Sequence, residues 1–169
     1  MTPAATTFIR QCQPDETGEI LAIINAAAEA YRGVIPDDCW HEPYMSAAEL
    51  DREIASDVVF WGGEIDGRLA GVMGLQAVRE VELIRHAYVL PASQGTGVGR
   101  ALVEQLRRRV RGPLLVGTWA AADWAVRFYE RRGFSLVPPE RTAEVLRAYW
   151  TISPRQIETS VVLADPPLD

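Results

Sequence analysis

Three glycines at alternate positions, Gly95, Gly97 and Gly99, divide the most informative stretch of the chain into two parts. The part before them, Val81–Leu90, is rich in apolar residues and predicts a strand that Pro91 ends. After them, apolar side chains recur at every fourth position, at Val98, Leu102, Leu106 and Val110. The stretch therefore predicts a strand, a tight loop and a helix in succession.

The loop Gln94-Gly95-Thr96-Gly97-Val98-Gly99 has the chemistry of an anion-binding site. Glycine has no Cβ, so backbone N–H groups in such a loop can approach a ligand closely. The helix that follows directs its unpaired N–H groups and the positive end of its dipole to the same place. We therefore predict that a phosphate or pyrophosphate group binds here.

Length and composition are those of one soluble globular domain. The chain has 169 residues, of which 48% are hydrophobic and 24% charged. We expect one domain over residues 1–169, with a frayed tail at 165–169. No apolar run reaches membrane-spanning length, and Met1–Thr7 lacks the layout of a secretory signal. The expected location is the cytoplasm, with no membrane partner.

Charge and cysteine usage argue against two further classes of function. A formal net charge of −6 disfavours a nucleic-acid partner, because phosphate contacts need clustered cations. The one cationic run has the character of an exposed helix face: Arg107, Arg108, Arg109 and Arg111. Cys12 and Cys39 have neither the number nor the spacing of a disulfide framework or a zinc site, so we expect free thiols and no metal.

The rest of the chain alternates strands and helices. Before the glycine loop, periodicity and turn residues predict a strand at Thr6–Cys12, a helix ending near Gly33, a helix at Ala47–Ala55 after a Ser46–Glu49 capping box, and strands at Val58–Ile65 and Leu69–Gln76 around an Asp66-Gly67 turn. After the loop and its helix, they predict a strand at Leu114–Trp119, a helix at Ala121–Arg132 closed by Gly133, and a strand at Phe134–Val137. A helix after Pro139 that Pro154 ends and a strand at Ile157–Leu163 complete the chain. Val34–Met45 is an irregular piece. The order predicts a mixed α/β sheet, and an exposed final strand would allow a homodimer.

Two common phosphate-binding loops do not fit the glycine spacing. A P-loop needs a lysine directly after its last glycine, whereas Arg100 follows Gly99. A dinucleotide-binding loop needs a glycine three residues after its second glycine, and that place is again Arg100. It should also open a strand-helix-strand unit, whereas this loop follows a predicted antiparallel meander.

A third pattern, Gln/Arg-x-x-Gly-x-Gly/Ala, is matched at every specified position from Gln94 to Gly99. Here the sequence resembles the GNAT superfamily of N-acetyltransferases, in which this loop binds the pyrophosphate of acetyl-CoA. Tyr88-Val89-Leu90-Pro91 resembles the end of the preceding strand in that family, and Tyr129-Glu130-Arg131-Arg132-Gly133-Phe134 resembles a later segment. The resemblance extends from about Gly67 to Phe134.

The resemblance implies an α/β (α+β) fold with a mixed, mostly antiparallel central sheet of about six to seven strands flanked by helices. It also implies an acetyl-CoA-dependent N-acetyltransferase that transfers directly, in a ternary complex, to the amine of a small molecule or to an N-terminal or lysine amine of a peptide. Acetyl-CoA would be the cosubstrate, and no metal is implied. The alternative on the same fold is a non-catalytic CoA or acyl-CoA sensor or interaction domain.

The cofactor-binding residues implied by the resemblance lie on the strand end, the loop and the first turn of the helix. They are Tyr88, Val89, Leu90, Gln94, Gly95, Thr96, Gly97, Val98, Gly99 and Arg100. Two positions depart from the family pattern. Thr96 stands where relatives often have a cation, so phosphate affinity would rest on backbone groups and Arg100. Ala122 stands where relatives often have a pantetheine-binding asparagine.

Acetyl transfer to an amine needs a deprotonated nucleophile and a protonated leaving thiol. Tyr129 matches a tyrosine that serves as general acid in many relatives, although a tyrosine beside Phe128 is also a candidate for plain core packing. Glu82 lies near the place of a family glutamate base, and His86 shares its face if the strand alternates without interruption. A β-bulge in this strand would turn one of these two side chains to the opposite face of the sheet. The general base therefore stays open between Glu82, or a water it orients, and His86.

The acceptor pocket should come from the irregular piece near the first helix and from the connection before the last strand, as the family's variable parts do. The candidates are aromatic, acidic or imidazole side chains: Tyr31, Trp40, His41, Glu42, Tyr44 and Trp119, with Tyr149 and Trp150 as further walls. Aromatic rings beside acids can hold an organic cation. For each tryptophan, the competing interpretation is core packing.

Overall fold

The computed structural model describes residues 6–169, which form seven strands and six α-helices. The strands are β1 (Thr7–Gln11), β2 (Val59–Ile65), β3 (Arg68–Val78), β4 (Val81–Val89), β5 (Leu114–Trp119), β6 (Ser135–Leu136) and β7 (Ser160–Asp165). The helices are α1 (Thr17–Ala28), α2 (Ala47–Ala55), α3 (Val98–Arg109), α4 (Asp123–Glu130), α5 (Pro139–Tyr149) and α6 (Pro154–Thr159).

The seven strands form one sheet in the order β1-β2-β3-β4-β5-β7-β6. The β4–β5 pair is parallel, whereas β1–β2, β2–β3, β5–β7 and β6–β7 are antiparallel. The predicted mixed, mostly antiparallel sheet flanked by helices is therefore confirmed. The chain divides into two compact units, the first comprising residues 6–30, 41–76 and 85–109 and the second comprising residues 31–40, 77–84 and 110–169.

The first unit contains β1, β2, most of β3, the end of β4 and α1 to α3. Its core is apolar and includes Ile20, Ile24, Leu50, Phe60 and Val72. The predicted β2–β3 hairpin is confirmed, since Asp66 and Gly67 have φ values of 51° and 79°, which a type I′ turn requires. The predicted α2 is confirmed at both ends; the Ser46 hydroxyl accepts from the Glu49 N–H, while the Glu49 carboxylate accepts from that hydroxyl.

The glycines of the first unit let α3 lie close to the sheet. A Cβ at Gly71 would lie 2.9 Å from Val98 Cγ1, 3.2 Å from the Tyr88 carbonyl oxygen and 3.2 Å from Val89 Cγ2. Because β3 has no side chain at this position, the first turn of α3 and the end of β4 both pack directly on it.

The second unit contains the start of β4, β5 to β7 and α4 to α6. Its apolar core includes Leu83, Leu115, Leu146, Val162 and Ala164. In the parallel register, Glu82, Leu83 and Ile84 pair with Leu114, Leu115 and Val116. Gly133 has a φ of 91° and ends the α4 segment, as its position after the predicted helix indicated.

Two predictions about the end of the chain are wrong. Residues Ile157 to Thr159 belong to α6, so the last strand begins at Ser160. Ser153 caps that helix by accepting from the Gln156 N–H at 3.2 Å, and the Gln156 side chain accepts from the Ser153 N–H at 3.3 Å. Pro154 therefore begins a helix instead of only ending one. In addition, β7 lies between β5 and β6 and is not the edge strand of the sheet; β6 pairs with Leu163 and Ala164 of β7.

An ion-pair network joins β1 to its neighbours in the first unit and makes stability depend on pH. Arg10 Nη1 lies 2.7 Å from Glu16 Oε1, and Arg10 Nε lies 2.7 Å from Glu64 Oε1. The hydrogen bonds from Arg10 lower the pKa of Glu16 from 4.5 to about 2. The folded state thus favours the ionised carboxylate, and this stabilisation is present above pH 4.5 and is lost as the pH falls toward 2.

Glu16→Gln should therefore lower the free energy of unfolding at pH 7 by about 1–3 kcal/mol. The difference from wild type should shrink between pH 4.5 and pH 2, because the wild-type carboxylate becomes protonated there. Urea unfolding of both proteins at a series of pH values measures this. A difference that stays constant across that range would contradict the assigned role of the Arg10–Glu16 pair.

Candidate active site

The glycine loop is held in shape by its own short-range hydrogen bonds. The Ser93 N–H donates to the Leu90 carbonyl at 2.8 Å, and the Thr96 hydroxyl donates to the Ser93 carbonyl. Gly95 and Gly97 have φ values of 78° and 92°, in the left-handed region that favours glycine. The backbone of the loop is therefore fixed by sequence-local contacts, with glycine at the two positions that need it.

The outer side of the loop is open, and a helix begins directly behind it. A Cβ at Gly95 or Gly97 would meet no atom within 4 Å. The Ala101 N–H donates to the Gly97 carbonyl at 3.0 Å, which is the first helical bond of α3. The N–H groups just before Ala101 have no carbonyl partner within the helix, as at any helix start. The arrangement is suited to an anion that lies against the loop.

Two of the polar side chains at the loop, those of Thr96 and Arg100, have protein partners. Thr96 is bonded to Ser93, as described above, and Arg100 is paired with Glu104 at 3.0 Å on an exposed face of α3. Val98, in contrast, is buried and anchors the start of the helix. The side chains of Thr96 and Arg100 are therefore both engaged within the protein.

The end of β4 leads into this loop and lies against a predicted acceptor residue. The Leu90 N–H donates to the Ala70 carbonyl at 2.8 Å, which holds the strand end on β3. The ring of Tyr88 meets that of Tyr44 edge to face, with 6.5 Å between centroids. The structure thus brings one predicted cofactor residue and one predicted acceptor residue together within the first unit.

The strand does not alternate regularly between Glu82 and His86. His86 has a φ of 54°, which is outside the extended region, so the predicted shared face of Glu82 and His86 is not supported. His86 Nε2 lies 2.9 Å from Glu53 Oε2, and Arg85 Nη2 lies 2.9 Å from the same oxygen. Glu53 was not among the predicted site residues, because nothing in the sequence pairs a residue of α2 with one of β4.

Glu82 lies in the second unit, on the part of β4 that pairs with β5. Its N–H donates to the Pro113 carbonyl at 3.0 Å. Its carboxylate oxygen Oε2 is buried and has no hydrogen-bond partner among residues 6–169. Burial raises the pKa of Glu82 above its ordinary value. A carboxyl group in such a position holds a proton more strongly than an exposed one, which is a property of carboxylate bases.

Tyr129 is buried in an aromatic cluster of the second unit and is 5% exposed. Its ring meets those of Phe128 and Phe134 edge to face, with centroids 5.0 Å and 5.5 Å away. Burial raises the pKa of Tyr129 well above its usual range; Tyr31 raises it further and Arg132 lowers it. The phenol therefore keeps its proton at neutral pH and can act as a hydrogen-bond donor.

Among the other predicted acceptor residues, the structure gives one pair that sequence reasoning missed. Tyr31 stacks on Trp124 of α4 with 6.0 Å between ring centroids, and Trp124 is 42% exposed. The only sign of this pair in the sequence is that Trp124 and Phe128 are four residues apart, which places two aromatic rings on one face of the helix. Of the other members, Trp40 carries Arg32 on its ring, His41 and Glu42 are exposed, and Trp119 is half-buried.

Residues 6–169 contain no group of three or more histidine, cysteine, aspartate or glutamate side chains placed to hold a metal ion. No helix in the same range is long and apolar enough to cross a bilayer.

Comparison with known proteins gave one family and many structural matches. The family model described as Acetyltransferase (GNAT) domain matches residues 13–149. A search of curated proteins found no match. The PaiA N-acetyltransferase from Thermoplasma acidophilum, solved with coenzyme A, is 15% identical with a TM-score of 0.70, covering 94% of this chain and 98% of that one.

Two further solved structures have the same fold. The ribosomal-protein-S18-alanine N-acetyltransferase from Escherichia coli is 18% identical with a TM-score of 0.67, covering 94% of this chain and 92% of its own. A GNAT family acetyltransferase from Brucella melitensis, solved with acetyl-CoA, is 23% identical with a TM-score of 0.56, covering 78% and 84%. At these identities, the similarity shows the fold.

Proposed function

Because this chain belongs to the GNAT acetyltransferase family, whose domain model matches residues 13–149, we propose that it transfers the acetyl group of acetyl-CoA to an amine. The observation that carries the proposal is the glycine loop between β4 and α3, which is open on its outer side and backed by a helix start. Two of the similar solved structures contain coenzyme A or acetyl-CoA, which supports acetyl-CoA as the donor.

The proposed donor site follows the end of β4 and the loop. The pyrophosphate accepts hydrogen bonds from the backbone N–H groups of Gly95, Gly97, Val98 and Gly99, since those of Gln94 and Thr96 donate to the Pro91 and Ser93 carbonyls. Arg100 adds positive charge if it turns away from Glu104. The strand residues Tyr88, Val89 and Leu90 hold the pantetheine arm. Acetyl-CoA would supply the reactive thioester, and the residues of this chain would bind and orient it.

The proposed reaction is a direct transfer. The amine nitrogen forms a bond to the thioester carbon, the C–S bond breaks, and the base removes the proton that the attacking nitrogen must lose. Tyr129 donates its phenolic hydrogen to the leaving sulfur, and solvent returns that proton. Glu82 and His86 are the two proposed bases; the first has one buried carboxylate oxygen and the second has a carboxylate partner.

The acceptor is proposed to be a primary amine on a small molecule or a peptide. Tyr31 and Trp124 form a partly exposed aromatic pair in the second unit, and Tyr31 is close enough to Tyr129 to affect its pKa. An aromatic pair near the proposed acid can hold the non-reacting part of an amine substrate by stacking or by cation–π attraction.

The test is thiol release from acetyl-CoA over a panel of small and peptide amines. We expect release with at least one amine, and we expect the variant that removes the base, either Glu82→Gln or His86→Gln, to lose about 100-fold in kcat/KM. The other variant should change little. CoA binding by calorimetry without thiol release for any amine would support the sensor alternative. No CoA binding by wild type would exclude both functions.

A further inference from the structure

A shared carboxylate holds two successive residues of β4 in the first unit. Arg85 Nη2 and His86 Nε2 each lie 2.9 Å from Glu53 Oε2. In a regular strand, neighbouring side chains point to opposite faces, so they could not reach one atom together. The φ of 54° at His86 breaks the alternation and turns the imidazole to the side of Arg85.

The surroundings of this cluster fix the imidazole further. The ring of His86 stacks on buried Phe60 of β2, with 6.3 Å between centroids and 24° between planes. Gln76 of β3 accepts from Arg85 Nη1 at 2.9 Å and donates to the Ser56 carbonyl at 2.9 Å. Strain in a strand persists only where its surroundings determine it, and such positions concentrate at functional sites.

The charge of Glu53 determines which nitrogen of the His86 imidazole can accept a proton. The hydrogen bond with His86 lowers the pKa of Glu53, and the charges of Arg85, His86 and Arg52 act in the same direction against its burial. An ionised carboxylate only accepts hydrogen bonds, so the hydrogen of the neutral imidazole lies on Nε2. The lone pair then lies on Nδ1, which leaves Nδ1 as the basic atom.

The place of His86 on β4 suits this base to the proposed reaction. His86 precedes Val89 by three residues, which is roughly 10 Å along a strand. A donor with its pyrophosphate on the glycine loop and its arm along β4 extends from Leu90 toward His86.

We propose that Glu53 is a positioning residue that holds His86 by Nε2, so that His86 Nδ1 acts as the general base of acetyl transfer. This inference rests on the proposed function. The amine nitrogen bonds to the thioester carbon, its proton goes to Nδ1, the C–S electron pair stays on sulfur, and the thiolate then takes a proton from solvent. Glu53 stabilises the imidazolium that forms, and Glu82 then has a structural role.

The first experiment uses the dependence of kcat/KM on pH. The charged groups that share the cluster with His86 are Glu53 of α2 and Arg85 of β4, and Arg52 of α2 acts on the charge of Glu53. Phe60 of β2 and Gln76 of β3, which also pack on the cluster, are uncharged. Glu53→Gln removes the anion that lies against the imidazole, so the acidic limb of the profile should move to lower pH. Arg85→Gln removes a cation, so the limb should move to higher pH.

The second experiment is chemical rescue of His86→Gly. Glycine adopts a positive φ at no cost, so this variant preserves the backbone that His86 now has. We expect about 100-fold lower kcat/KM, with partial recovery when free imidazole is added. The KM for acetyl-CoA should change little.

The outcomes separate this inference from the proposed function. Opposite displacements in the two charge variants, with rescue by imidazole, support it. Unmoved profiles, or equal losses of activity that follow a loss of thermal stability without rescue, overturn the role of Glu53 and His86 while leaving the transferase intact. If the wild type releases no thiol with any amine, the transferase function fails, and this inference fails with it.

Discussion

Gly97→Glu is expected to weaken acetyl-CoA binding by at least about 100-fold, equivalent to about 3 kcal/mol. Gly97 has a φ of 92°, so any side chain there strains the backbone of the loop. The glutamate would also place a negative charge in the open space that we assign to the pyrophosphate. Calorimetric titration with CoA measures the effect.

The matched control is Gly67→Glu in the β2–β3 turn. Gly67 has a φ of 79°, and a Cβ there meets no atom within 4 Å, so the two substitutions add the same charge and similar strain. The control should lose stability by a similar amount and keep its affinity for CoA. Equal weakening in both variants would mean that Gly97 acts through folding and not through the ligand.

Tyr129→Phe is expected to lower kcat by about 100-fold, the usual effect of removing one hydrogen-bond donor to developing negative charge. The phenylalanine ring keeps the edge-to-face contacts with Phe128 and Phe134, so the fold should be retained. Because burial raises the pKa of Tyr129, the phenol gives up its proton less readily than a free one. We therefore expect hydrogen-bond donation to the sulfur to precede any complete proton transfer.

Tyr149→Phe is the control for this substitution. The Tyr149 hydroxyl donates to Glu80, and Arg79 stacks on its ring at 4.8 Å, so this tyrosine joins α5 to the β3–β4 turn. Its variant should lose some stability and keep its kcat at saturating amine, since any contact of Tyr149 with the acceptor as a pocket wall would affect KM. If the kcat of Tyr129→Phe stays within threefold of wild type when each is saturated with both substrates, the hydroxyl has no part in the chemistry.

Local patterns predicted those parts of the fold that depend on local chemistry. The Asp66-Gly67 turn, the Ser46 cap of α2 and the helix after the glycine loop are set by residues adjacent in sequence. The start of α6 was equally local, because Ser153, Pro154 and Gln156 form a helix start, but the β-branched residues near the end of the chain favoured a strand there.

The parts of the site that the sequence did not predict depend on contacts between distant residues. Glu53 and His86 are 33 residues apart, and only the folded chain brings their side chains within 2.9 Å. The positive φ of His86 is also a tertiary effect, because a non-glycine residue within a strand seldom adopts it unless its surroundings hold it there. In the same way, the stacking of Trp124 on Tyr31 follows from how α4 packs, which periodicity does not specify.

The absence of a side chain at Gly71 fixes the distance between the start of α3 and the end of β4. Val98 of α3 and the Tyr88 and Val89 atoms of β4 all close on the same point of β3. The distance from the helix start to the strand end is therefore set by atoms in contact, which neither salt nor pH alters. A cofactor that binds the loop with one group and the strand with another must match this fixed separation. The protein would then select a donor by the spacing between those groups as well as by their chemistry.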